Sequence, residues 1–99
     1  MQKTLGALAA IVKGSRIVGD KNIVIRGITH DSRKVEPGML FVCIEGVHVD
    51  GHSFISQAAA KGAVAILTQR EMEAPKGLAV WQVPALDAAM ELAAPYFYE

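Results

Sequence analysis

Cysteine is nearly missing from this sequence: Cys43 stands alone, so no disulfide can form within the chain. It lies inside an apolar run, which predicts a reduced, buried thiol in a cytoplasmic protein. Burial raises a thiol's pKa and no base stands beside it, so a reactive nucleophile is not expected. Excess charge is missing too. Ten basic residues balance ten acidic ones, which argues against a nucleic-acid surface. No apolar stretch is long enough to span a bilayer. The one nearest the N-terminus, Leu5 to Val12, is ended by Gly14 and has no signal-peptide pattern. The phosphate-handling loops G-x-x-x-x-G-K-[ST] and G-x-G-x-x-G are absent, as is the Ser/His/Asp order of a known hydrolase. These residues alone are not expected to hydrolyse or transfer a phosphate. His30, His48 and His52 match no zinc spacing and no cysteine joins them, so no metal site is expected.

What is present suits one globular domain. Of the 99 residues, 52% are hydrophobic and 20% charged, enough for a single core and too apolar for disorder. In the first third Lys3, Lys13, Arg16, Lys21, Arg26, Arg33 and Lys34 outnumber Asp20 and Asp31. That asymmetry suits either a small anion or a solvated face.

Read in order, the chain alternates helical and extended signals. Thr4 is placed to cap a helix whose Leu5, Leu8, Ala9 and Val12 share a face, with Gly14 at its end. Arg16 to Val18 reads as a short edge strand. Ile23 to His30 reads as a second strand with a bulge at Gly27. Pro37-Gly38 marks a turn. Met39 to Ile44 is apolar throughout, the mark of a central parallel strand buried on both faces. Asp50 or Ser53 can cap the following helix, with Phe54, Ile55, Ala58 and Ala59 inward and Gly62 at its end. Ala63 to Leu67 is another strand, completing a right-handed βαβ unit. Glu71 to Gly77 is a surface loop. Leu78 to Val83 is the next strand, in which Trp81 packs. Pro84 suits the first turn of a last helix with Leu86, Ala89, Met90 and Ala93 on one face, and Pro95 should stop it. Tyr96, Phe97 and Tyr98 then read as a surface meant to pack on more protein. The fold class is α/β: a Rossmann-like domain of two or three layers, with a mainly parallel sheet of about five strands and flanking helices.

Polar chemistry gathers where strands end and helices begin, the usual ligand position in such folds. Backbone N–H groups of residues 51–54 would form a helix N-terminus that attracts anions, with Gly46 and Gly51 allowing close approach. Ser32 both donates and accepts, which suits a base carbonyl or imide. Arg33 can meet a diphosphate or pair with Asp31. His48, in the open loop, suits ligand contact. His52 is a second candidate for an anion, although a side chain at a helix start more often caps or packs.

The run Asp31-Ser32-Arg33-Lys34-Val35-x-Pro37-Gly38-x-Leu40-Phe41-Val42, then Gly46-x-x-x-Asp50-Gly51-His52-x-Phe54-Ile55, then Ala58-x-x-x-Gly62-Ala63, strongly resembles the N-terminal domain of the Mur ligases. These enzymes add amino acids to a UDP-linked peptidoglycan precursor. Phe41-Val42-Cys43-Ile44 with Val49-Asp50-Gly51-His52 is most similar to the MurE type, which adds the third peptide residue. The MurF type, which acts next, shares the Asp-Ser-Arg and Asp-Gly-His elements. The resemblance implies a domain holding the UDP part of UDP-N-acetylmuramoyl dipeptide. It implies that His30 and Ser32 contact the uridine end and that Val47, His48 and Val49 line the nucleotide and sugar. Asp50 and Gly51 would shape the loop. The domain itself would carry no cofactor. ATP and Mg²⁺ would belong to a central domain, which is the expected partner of this one, and the chain is expected to be the excised first domain. The alternative is a free-standing interaction module docking through its aromatic tail.

Overall fold

In the computed structural model, which describes residues 2–99, Lys3–Thr4 forms a first short strand, β1, that the sequence does not announce. The Thr4 hydroxyl then accepts from the Ala7 N–H at 3.1 Å and opens α1 (Leu5–Ala10), the cap its position predicts. Leu5, Leu8, Ala9 and Val12 are buried on one face. β2 (Arg16–Val18) is an edge strand as expected.

The stretch from Ile23 to His30 is not one bulged strand. Its first part, β3 (Val24–Ile25), pairs antiparallel with β1 in a separate two-stranded sheet. Its second part, β4 (Gly27–Thr29), pairs in parallel with β5 (Met39–Val42) in the main sheet. The chain changes sheet at Arg26, whose N–H goes to the Gly38 carbonyl at 2.9 Å. Gly27 is not a bulge: it pairs in regular parallel register with Met39. A Cβ there would lie 2.9 Å from the end of the Met39 side chain, which covers it.

After β5 come α2 (Ile55–Ala60), β6 (Ala65–Thr68), β7 (Ala79–Gln82) and α3 (Leu86–Phe97). The main sheet has five strands in the order β2-β7-β6-β5-β4. Four run parallel, and β2 closes the edge antiparallel to β7. Alternate residues serve opposite faces. Leu40, Val42, Ala65, Leu67, Ala79 and Trp81 join α1 and α3 in one core. Phe41, Cys43, Ile66 and Val80 join Ala58 of α2 in the other. The domain is therefore three-layered, and both-face burial explains the unbroken apolar runs of β5 and β6. Trp81 packs, and its Nε1–H donates to the Ser15 hydroxyl at 2.8 Å. Gly62 has φ +102°, and a Cβ on it would sit 2.7 Å from the Pro37 Cα, so only glycine fits the turn into β6.

The C-terminal end departs from its sequence reading. Pro84 precedes α3 rather than joining its first turn. Ala85 occupies the cap position and has no capping side chain, so the Gln69 side chain accepts from the Leu86 N–H instead. Pro95 does not stop the helix, which runs on to Phe97. A proline this close to the end removes one hydrogen bond, while the Tyr98 N–H still reaches the Ala94 carbonyl at 3.1 Å. Nor is the aromatic tail a free surface. Phe97 is 1% exposed in the core, and Tyr96 lies 4.4 Å under the Lys3 ammonium. Tyr98, 55% exposed, meets only the edge of Phe97 among the aromatic rings of the described residues. Truncation separates the two roles. Phe97→Ala should cost about 3–5 kcal/mol of unfolding free energy, and Tyr98→Ala about 1 kcal/mol or less, as read from denaturant melts. Equal losses would contradict this packing.

Candidate functional site

The C-terminal ends of β4 and β5 are each followed by an aspartate in extended conformation. Asp31 has φ −106° and ψ 112°, and Asp50 has φ −102° and ψ 119°. Each caps a short 3-10 turn by accepting the N–H two residues ahead at 2.9 Å. Each is also gripped by the side chain of that same residue. Arg33 bonds Asp31 twice, Nε at 3.1 Å and Nη2 at 3.0 Å, and the His52 ring places Nδ1 2.7 Å from Asp50 Oδ1. The Arg33 guanidinium first and its backbone N–H second pull the Asp31 carboxyl down to about 2. Asp50 is held further below the usual carboxylate range, by the His52 N–H first, then the His52 ring and Arg70.

The two turns have different outcomes. The first faces a hollow of about 420 Å³ lined by His30, Asp31, Ser32, Arg33, Phe54 and Gln57. Ser32 is buried at 8% exposure, and its hydroxyl donates to the Gln57 side-chain oxygen at 3.2 Å, leaving lone pairs to accept. His30 also borders a second, mainly apolar hollow of about 270 Å³, walled by Ile28, Val42, Ile44, Leu86 and Met90, with Thr29 and Asp87 also lining it. One residue thus separates a polar pocket from a greasy one.

The second turn is closed. His52 Nε2 lies 2.6 Å from the Thr68 hydroxyl, and the Arg70 N–H donates to that same hydroxyl at 3.0 Å. Asp50, His52 and Thr68 thereby line up like an acid, a base and a nucleophile. The hydroxyl is fully buried and already engaged on both sides, so this alignment is a strut and not a reacting group. Both ring nitrogens of His52 are occupied, which corrects the expectation that it offers an anion contact. Three of the four amides expected to cradle a phosphate are occupied as well. Gly51 N–H goes to the Ile44 carbonyl, His52 N–H to the Asp50 carboxylate and Ser53 N–H to the Asp50 carbonyl. An ionised carboxylate stands where the anion was expected.

The loop residues stand apart from these hollows. Glu45 and Asp50 form an antiparallel bridge at the neck of a small hairpin. Val47 at its tip is 95% exposed, and His48 and Val49 are exposed beside it. None of the three lines the hollows at His30 or Ser32. The structure thus gathers His30, Ser32 and Arg33, and holds Val47, His48 and Val49 on an arm at the same end of the sheet. Gln57, Glu45, Thr68 and Arg70 belong to this region and were missed by sequence reasoning. Their partners lie 16 to 25 residues away, and no local pattern marks them. Cys43, behind the site, is buried; loss of water first and the Asp50 charge second push its thiol up to about 12, consistent with an inert core residue.

A model described as the Mur ligase family, catalytic domain, matches residues 24–96. This chain belongs to the Mur ligase family. Over 82 residues it is 45% identical to a UDP-N-acetylmuramoyl-L-alanyl-D-glutamate–2,6-diaminopimelate ligase from Alkaliphilus metalliredigens, matching 83% of this chain and 17% of the relative. A ligase of the same name from Listeria monocytogenes is 45% identical over 79% of this chain and 16% of its own length. Among solved structures, a MurF from Acinetobacter baumannii superposes with a TM-score of 0.80 at 26% identity, over 97% of this chain and 21% of that one. A Thermotoga maritima MurF in complex with ADP gives 0.55 at 31% identity, over 68% and 16%. The Mur ligase chain described here thus spans about a sixth of its curated relatives' length.

The depressed Asp50 carboxyl gives this Mur ligase domain a pH signature. A folded-state pKa below the unfolded value of about 3.9 adds stability above that pH, and the gain is lost as pH falls through the folded value. Asp50→Asn should therefore be less stable than the parent above about pH 5, with the gap closing below about pH 4. Asp31 titrates in both proteins and cancels. A gap independent of pH between 2 and 6, in melts followed by circular dichroism, would contradict the assignment.

Proposed function

We propose that this chain is the nucleotide-holding first domain of a ligase that extends UDP-N-acetylmuramoyl-L-alanyl-D-glutamate by its third peptide residue. The observation that carries the reading is the pair of hollows meeting at His30, one polar beside Ser32 and Arg33, one apolar. A uridine needs both: an apolar wall for the base and a few placed polar groups for its imide and ribose. Ser32 accepts from the imide N–H, and His30 covers the seam between the hollows. Arg33, exposed and tethered to Asp31, keeps guanidinium donors for the diphosphate. The hairpin with Val47, His48 and Val49 lies over the nucleotide and the sugar beyond it. The curated relatives' shared name supports the third-residue type over the MurF type, whose solved members match at lower identity.

The residues present do not fit ATP and Mg²⁺. The sequence holds no Gly-Lys pair from which a phosphate loop could be built. Among the described residues no three His, Cys, Asp or Glu side chains converge on a metal position. No step of ligation is therefore assigned to these residues; in this reading the acyl-phosphate chemistry belongs to the remainder of a longer ligase, the domain's partner. A cytoplasmic setting goes with the same reading, in keeping with the unpaired, buried Cys43 thiol.

Titration of the 99-residue chain with UDP, followed by backbone amide shifts, tests the proposal. Shifts are expected at residues 30–33 and 46–49, with the β2 edge unmoved, and UDP-N-acetylmuramoyl dipeptide should extend them. Ser32→Ala should weaken binding about 2- to 10-fold, the loss of one hydrogen bond. No shift at 30–33 in millimolar UDP would overturn it.

A further inference from the structure

The Glu45–Asp50 hairpin needs outside support. It has one turn's worth of backbone bonds, Gly46 N–H to the Val49 carbonyl at 2.9 Å and Gly51 N–H to the Ile44 carbonyl at 2.8 Å. An isolated hairpin of this size is marginal in water. Its neck also sets two carboxylates, Glu45 and Asp50, directly across from each other, where like charges repel. Arg70, just beyond the end of β6, resolves both problems. Its Nε reaches Glu45 Oε1 at 3.3 Å and its Nη2 bonds Asp50 Oδ2. One planar guanidinium therefore joins the two stems. The clamp is anchored, because the Arg70 N–H donates to Thr68, the buried residue that also holds His52. Glu45 and Arg70 are half-exposed, a setting in which a single ion pair contributes little; here one cation serves two carboxylates fixed by the backbone.

We infer that Arg70 is a positioning residue for the Val47–Val49 arm: bridging Glu45 and Asp50, it sets the fraction of molecules in which the arm is formed and able to meet the ligand. Contact between the arm and a nucleotide rests on the proposed function; the ordering of the arm does not. If the formed fraction falls to a tenth, the apparent Kd for any ligand the arm touches rises about tenfold.

The test compares the parent chain with Arg70→Ala and Arg70→Lys by amide hydrogen exchange and shifts, first without ligand. In Arg70→Ala the Gly46 and Gly51 amides should lose protection and the 47–49 signals should move toward random-coil values. The amides of β5, β6 and β7 should keep theirs. Arg70→Lys, whose ammonium meets one carboxylate at a time, should fall between. UDP affinity should drop about tenfold in Arg70→Ala while saturating UDP still shifts residues 30–33. Arm amides unchanged in Arg70→Ala would overturn the inference, and so would arm and sheet signals lost together, which would make Arg70 a support of the whole domain. A parent chain that binds no UDP but shows the arm melting in Arg70→Ala would sink the nucleotide reading alone and leave the clamp standing.

Discussion

Two aspartates do the turning in this domain. A parallel strand cannot fold straight back on itself; its chain must leave the sheet and reorganise before the next element. At the ends of β4 and β5 that task falls to Asp31 and Asp50, and the solution is the same twice: an extended aspartate, a 2.9 Å bond to the amide two residues on, and a grip from that residue's side chain. The carboxylates are held ionised by the donors they collect. The Ser32 hollow and the hairpin arm are both built beside these turns.

Equal turns lead to unequal surroundings. Asp31 sits at the rim, so its partner Arg33 is exposed, while its buried neighbour Ser32 lines the hollow beside Gln57. Asp50 sits over the end of β6, so its partner His52 is drawn into a closed set of bonds with Thr68, and Arg70 ties that set to the hairpin neck. The first turn leaves side chains lining an open hollow, and the second is tied to the neck of the hairpin. This division explains why the Mur ligase motif residues, though adjacent in space, differ so much in accessibility.

Much of the fold was legible because its signals are local. The Thr4 cap, the edge strand at Arg16, the apolar β5 and the turns at Gly38 and Gly62 each depend on a few neighbouring residues and on two-sided burial. What escaped depends on distant partners. Residues 23–30 split between two sheets only because Lys3–Thr4 comes alongside, and a two-residue strand leaves no pattern. The tail reads as a docking surface until Lys3 is seen over Tyr96 and Phe97 is found in the core. At the candidate site, the position of Ser32 and Arg33 just after a strand was legible, and both line the same hollow. The fate of the expected phosphate cradle was not legible, because Ile44 and Asp50 take the amides of Gly51, His52 and Ser53. Gln57 and Arg70 had nothing in their own neighbourhoods to mark them.

The central claim is that the end of the sheet shaped by these two turns holds a uridine nucleotide. A crystal structure of this chain with UDP tests it most directly. The account predicts density for the base at the seam beside His30, with the Ser32 hydroxyl within hydrogen-bonding distance of the imide. A nucleotide seated anywhere else on the domain, with the Ser32 hollow empty, would contradict it.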